Sequence, residues 1–336
     1  MPISFPAHLA TIRRGTATEA VIRGHVAVVD SAGRLIAAAG DPTALTTVRS
    51  CVKPVQALPL VRLAGAGLDL SQEEIALACS SHGGETSHVE VVRRLLARIG
   101  LDEDSLSCGV QLPMDEPSAE AILAAGERPS RLTNNCSGKH AGMLAVCAVR
   151  SLPVNGYADG DHPLQVEIRG IMADLAGVDL AAAPVGIDGC GLPTYGMRLE
   201  ALARMFAAAT GDPGFRLCQA AMAGHPYLVA GRERFDTALL EVAGSGMTAK
   251  GGAAGVWVAV RRPDGPALAI KLEAGDQLAM SAVALAALER LGWLDQDQLG
   301  HGSLAGFAAP PVRNWAGAVV GEIAAEPGWL EHHSAA

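Results

Sequence analysis

Apolar residues recur at two different periods along this chain, and the change of period marks out its architecture. Near the start, 26–30 and 35–39 are short apolar runs on either side of Ser31-Ala32-Gly33, which predicts a β-hairpin. A second hairpin is predicted late in the chain. There 255–260 and 267–271 flank Arg262-Pro263-Asp264-Gly265, a turn made by the fixed φ of proline and the freedom of glycine. Two matching hairpins can join one antiparallel sheet.

Between the hairpins the apolar positions fall three and four apart. The spacing predicts helices over 52–63, 71–79, 88–99, 118–125, 139–149, 163–176 and 199–209, and another over 279–291 that covers the sheet. A sheet fed by both ends of the chain, with helices between, is an α/β sandwich. The chain is expected to form one catalytic unit over 1–336, with its sheet drawn from 15–50 and 185–300 and a mainly helical region at 51–184.

Composition narrows the class of partner. With 336 residues, 49% of them hydrophobic, the chain can bury a sizeable core. A formal charge of −9 argues against nucleic acid, which needs clustered Lys and Arg, and favours a small polar substrate. No apolar run approaches the roughly 20 residues that span a bilayer, so no membrane partner and a cytoplasmic location are expected. The seven cysteines are scattered and odd in number, the pattern of reduced thiols rather than a disulfide framework.

Chemistry concentrates in polar islands. Thr133-Asn134-Asn135-Cys136-Ser137-Gly138-Lys139-His140 crowds a thiol, an amine and an imidazole into little more than two helical turns. Three others share that character: Arg49-Ser50-Cys51-Val52-Lys53, Ser80-Ser81-His82-Gly83-Gly84-Glu85, and Gly186-Ile187-Asp188-Gly189-Cys190-Gly191. A further lysine, Lys250, enters the late hairpin beside Gly251 and Gly252.

In Ser50-x-x-Lys53 the two residues share a helix face, so the amine can lie beside the hydroxyl and take its proton. The alternative is that Ser50 caps the helix and Lys53 points to water. Ser81 is a second candidate nucleophile or proton carrier, against an alternative in which its island only ends one helix and starts the next; His88, just beyond, reads as a surface helix residue. Cys136 and Cys190 could supply two thiolates to Zn²⁺, and chemistry alone nominates His140 as the third ligand, since a lysine must first lose its proton. Two buried structural cysteines are the competing reading. The order S-x-x-K, helical region, K-x-G also resembles the layout of serine β-lactamases and penicillin-binding proteins.

A closer resemblance rests on five blocks: Arg49-Ser50-Cys51-Val52-Lys53-Pro54-Val55-Gln56; Cys79-Ser80-Ser81-His82; Asn134 through Leu144 with its C-S-G-K-H-x-G-M core; Gly189-Cys190-Gly191-Leu192-Pro193; and His225-Pro226-Tyr227-Leu228-Val229-Ala230-Gly231. Together they resemble the Rhizobium-type L-asparaginase family, from about residue 15 to 295. The resemblance implies hydrolysis of L-asparagine to L-aspartate and ammonia on a β-lactamase-like fold, in a homodimer. It pairs Ser50 with Lys53 and Ser81 with Lys250, and gives a zinc ion to Cys136, Lys139 and Cys190, displacing His140 as ligand. Asp188 then suits the substrate's ammonium and Arg49 its carboxylate, while His140 orients a substrate oxygen or a metal ligand. Two other readings stand beside this one: a β-lactamase-like amidase or peptidase, or a glutaminase, and a zinc-binding sensor whose serines merely cap helices.

Overall fold

The computed structural model describes residues 5–63, 67–275 and 277–332. Its strands are β1 (Ala7–Arg14), β2 (Ala17–Val29), β3 (Leu35–Ala39), β4 (Leu45–Thr47), β5 (Val185–Ile187), β6 (Pro193–Arg198), β7 (Met247–Gly252), β8 (Val256–Arg261), β9 (Ala267–Leu272), β10 (Pro311–Arg313), β11 (Val319–Ala325) and β12 (Glu331–His332). The chain separates into two compact units. One comprises Met1–Cys51, Met197–Ala208 and Val242–Ala336; the other comprises Val52–Gly196 and Ala209–Glu241.

The first unit is built on a sheet in the order β10-β11-β1-β2-β9-β8-β7, with β3 also on β2 and β12 on β3. Both expected hairpins are present. β2 pairs antiparallel with β3 and β8 with β9, and the two hairpins meet where Val26 faces Ile270 and Val28 faces Leu268. Val26, Val28, Trp257, Val258, Leu268 and Ile270 are all buried, so these strands form the sheet's apolar middle. The helix Met280–Arg290 packs on β1 and β11, as the expected covering helix should. In this sheet four strands escaped the pattern: β1, β10 and β11 mix polar with apolar positions, and β12 is two polar residues long. Lys250 stands on β7, an edge strand.

The second unit is largely helical. Helix Ser137–Arg150 runs through it, buried from Ser137 to Cys147, and packs on Gln72–Ala78 and Thr86–Arg98. Close approach is possible because position 138 has no side chain: a Cβ there would meet the Leu77 carbonyl oxygen at 2.5 Å. Ser71 starts the Gln72–Ala78 helix with a capping box shared with Glu74. The expected continuous helix over 52–63 is instead two short pieces, Lys53–Gln56 and Leu58–Val61. Pro59 explains the break, since it lacks the N–H that would bond back to the Val55 carbonyl and sits instead in the first turn of the second piece, as Pro54 does in the first.

Candidate active site

Ser50 lies in a 3₁₀ turn, Arg49–Val52, that opens on Arg49 with φ 46, a left-handed conformation that a residue with a side chain rarely adopts. Such backbone is retained where the surroundings over-determine it, often at functional sites. In the same unit, a Cβ at Gly252 would stand 3.0 Å from Cys51 Sγ, so the end of the Lys250 strand abuts this turn. Lys250 is buried, and its Nζ donates to the Gly251 carbonyl at 2.6 Å.

The helical unit gathers the remaining candidates. Lys53 is completely buried, and its amine donates to the Ser80 carbonyl at 2.5 Å, to Ser81 Oγ at 2.8 Å and to Cys136 Sγ at 3.3 Å. The lysine read from sequence as the partner of Ser50 touches Ser81, the serine of the other expected tandem. An ammonium has three N–H donors, as many as these contacts. Loss of one proton would reverse the Ser81 contact, with the hydroxyl donating and the amine accepting.

Cys136 caps the N-terminus of helix Ser137–Arg150, and Lys139 lies one turn on. Lys139 Nζ reaches Cys190 Sγ at 3.1 Å. The loop carrying Cys190 turns back on itself: Asp188 N–H donates to the Leu192 carbonyl at 2.8 Å and Gly191 N–H to the Asp188 carbonyl at 2.8 Å. Cys136, Lys139 and Cys190 are all buried. A hydrogen bond from Cys190 draws the Cys136 thiol well below its ordinary range, against burial and with help from Lys53 and Lys139. The same bond, with burial, pushes Cys190 up. The two sulfurs thus share a hydrogen bond beside two lysines. The Lys139 amine is raised: burial opposes its charge, but Cys136 and Cys190 outweigh it, and Asp188 adds to them.

These side chains suit a soft divalent metal. Cys136 Sγ and the Lys139 amine both lie against Cys190 Sγ, giving an S₂N donor set that Zn²⁺ can accept once the amine has lost its proton. Among the described residues no cluster of three His, Cys, Asp or Glu side chains could hold a metal, so a site here takes its third donor from Lys139. His140 is fully buried, with Nδ1 2.6 Å from Tyr157 Oη, which itself accepts the Ser107 N–H at 3.0 Å. Satisfying both groups makes the tyrosine donate to Nδ1 and leaves Nε2 as an N–H, a donor rather than a metal ligand. That buried Nε2 has no hydrogen-bond partner among the described residues. Burial first, then Lys139 and Lys53, depress the ring's basicity and keep it neutral.

His88 is not the surface residue its charged helix suggests. It is fully buried, its ring stacked between His82 at 4.8 Å and Tyr227 at 5.6 Å. The sequence carried no local sign of this, because the ring's neighbour Tyr227 comes 139 positions later. Tyr157, too, had no recognisable signal.

A buried lysine set on a serine hydroxyl and beside paired thiols, in an α/β protein, is the equipment of a hydrolase acting on a small polar substrate. The L-asparaginase II family model matches residues 10–325, nearly the whole chain, and the chain belongs to that family. It is an amidohydrolase of the L-asparaginase kind. Among solved structures it is similar to a β-lactamase from Mycobacterium bovis, at 17% identity and TM-score 0.42, over 80% of this chain and 94% of that one. It is also similar to Mglu in its native form, at 17% identity and TM-score 0.42, over 83% of this chain and 66% of that one. No match is found among curated proteins. No helix among the described residues is long and apolar enough to cross a membrane.

Proposed function

We propose that this enzyme hydrolyses L-asparagine to L-aspartate and ammonia with Ser50, Lys53, Ser81 and Lys250 as its proton-handling and nucleophilic groups. The observation that carries the reading is the 2.8 Å contact between Lys53 Nζ and Ser81 Oγ at the heart of the helical unit. Neutral Lys53 takes the Ser50 proton, and the resulting alkoxide attacks the side-chain amide carbon. As the tetrahedral adduct collapses, the carbon–nitrogen bond breaks and the nitrogen leaves as ammonia. The proton it needs passes from Lys53 through Ser81, which Lys250 assists. Water then cleaves the aspartyl ester: Lys53 takes a proton from the water as its oxygen adds to the carbonyl carbon, and passes that proton to the Ser50 oxygen as the carbon–oxygen ester bond breaks, so that neutral Lys53 and the Ser50 hydroxyl are restored. The Lys53–Ser81 contact is what a relay of this kind requires.

Asp188 and Arg49 are assigned the substrate's α-ammonium and α-carboxylate. His140 Nε2–H, buried and unpaired, suits a substrate oxygen. Cys136, Lys139 and Cys190 would hold zinc, which when bound supplies a fixed positive charge that positions the substrate. The reading includes a homodimer, drawn from the family resemblance, and the cytoplasmic location expected from the sequence.

The test is ammonia release from L-asparagine, L-glutamine and D-asparagine by wild type, Ser50→Ala and Ser81→Ala. Turnover of L-asparagine that both substitutions abolish supports the serine–lysine reading. Turnover that survives both would overturn it, and faster release from L-glutamine would reassign the substrate.

A further inference from the structure

The block His225-Pro226-Tyr227-Leu228-Val229-Ala230-Gly231 has no role in the chemistry above, yet it lies directly on the Ser81 loop. The Ser81 N–H donates to the Val229 carbonyl at 3.0 Å. On one side of that bond, His88 Nε2 donates to the Tyr227 carbonyl at 3.1 Å. On the other, Glu85 Oε1 accepts the Arg232 N–H at 2.8 Å. His88 and Glu85 are themselves joined, Nδ1 to Oε2 at 2.8 Å, and both are buried. The segment is thus held at both ends by one pair of side chains and touches Ser81 in the middle.

Space is reserved for this pair. A Cβ at Gly83 or at Gly231, whose φ is 110, would run into the Glu85 carboxylate. Thr237 fixes the segment from its far side, donating to the Gly231 carbonyl at 2.8 Å and accepting the Gly231 N–H at 3.2 Å.

We infer that Glu85 and His88 are a positioning pair, which clamps residues 227–232 against the Ser81 loop and so sets the Ser81 hydroxyl at its distance from Lys53. The inference rests on the reading in which Ser81 exchanges protons with Lys53. Neither Glu85 nor His88 touches the reacting atoms. Their effect is geometric, and proton transfer is sensitive to displacements of an ångström.

The experiment measures kcat and KM for L-asparagine in Glu85→Ala, Glu85→Gln, Thr237→Val and Ser81→Ala, with folding checked by circular dichroism. Glu85→Ala should lower kcat by about 10²-fold while KM moves less than about threefold. Glu85→Gln should recover to within about fivefold of wild type, because its amide oxygen still accepts the Arg232 N–H and its amide group keeps the size and shape that fill the space beside His88. Loss of kcat in Glu85→Gln equal to that in Glu85→Ala, or a change confined to KM, overturns the inference. If Glu85→Ala does not fold, Thr237→Val decides: it loosens the same segment without touching the pair, and should lower kcat by about tenfold. An unchanged kcat there overturns the inference. Ser81→Ala at wild-type rate would overturn both this inference and the serine–lysine reading. An inactive Ser81→Ala with a fully active, folded Glu85→Ala would overturn this inference alone.

Discussion

Lys53 Nζ lies 2.8 Å from Ser81 Oγ and 3.3 Å from Cys136 Sγ, so one buried amine joins the serine chemistry to the thiol pair. The sequence treated these as separate features, a serine–lysine tandem and a metal site. In the folded protein a change at either is felt by the other through a single nitrogen.

Replacement of Lys53 is therefore the sharpest test of proton transfer. Arginine keeps the charge but cannot be deprotonated, and methionine keeps the stem without the amine. Both Lys53→Arg and Lys53→Met should lower the rate of ammonia release by about 10²- to 10⁴-fold, the range of a lost general base. Either variant within tenfold of wild type would remove Lys53 from the proton path.

Cys190→Ser should separate the metal from the chemistry. It removes a sulfur that Lys139 contacts at 3.1 Å and that hydrogen-bonds Cys136, while keeping the Lys53 and Ser81 side chains themselves and reaching Lys53 by way of Cys136. Zinc per protein chain, measured by elemental analysis after equilibration with zinc and desalting, should fall. KM for L-asparagine should rise more than kcat drops, because the metal is assigned to positioning rather than attack. Unchanged zinc content would exclude Cys190 as a ligand.

Some of this was legible in the sequence and some was not, for physical reasons. The hairpins around Gly33 and Gly265 declared themselves because apolar runs and turn residues are local signals. That the two hairpins could share one sheet followed from their match, and the register that sets Val26 opposite Ile270 is a finding of the structure. The polar islands were visible because thiols, amines and hydroxyls seldom crowd together by chance. Long-range partners were invisible. Nothing near His88 announces Tyr227, and nothing near Lys53 announces Ser81, 28 positions away. Apolar spacing predicted one helix over 52–63, and the break that Pro59 imposes on it is seen in the structure.

Gly138→Ala tests whether the approach of two helices places the site. The added methyl would meet the Leu77 carbonyl oxygen at 2.5 Å and Leu77 Cγ at 2.6 Å, and the carbonyl is backbone that cannot rotate aside. Helix Ser137–Arg150 must shift away from Gln72–Ala78, at a cost of about 1–3 kcal/mol. Chemical denaturation should read that loss. Because Cys136 and Lys139 flank the glycine, activity measured on the folded fraction should fall as well; full activity with reduced stability would mean that the site tolerates the shift.

The Glu85–His88 pair should leave its mark on acid stability. Burial works against the Glu85 charge, but the His88 hydrogen bond and the Arg232 N–H prevail and hold the carboxyl at about 2, against an ordinary 4.5. Its surroundings are His88 on its own helix, Tyr227 and Arg232 on the docked segment, and Asp115 beyond, 3.4 Å from the Arg232 side chain. A depressed carboxyl binds its proton more readily in the unfolded chain, so its contribution is complete above about pH 4.5 and is lost as pH falls through about 2. The shift corresponds to about 3 kcal/mol. Unfolding free energy measured by urea titration should therefore fall more steeply for wild type than for Glu85→Gln between pH 4.5 and 2, with the two curves converging at the acid end. Parallel curves over that window would mean that Glu85 carries no charge-dependent stability, and that its hold on the docked segment is that of a neutral hydrogen-bonding side chain.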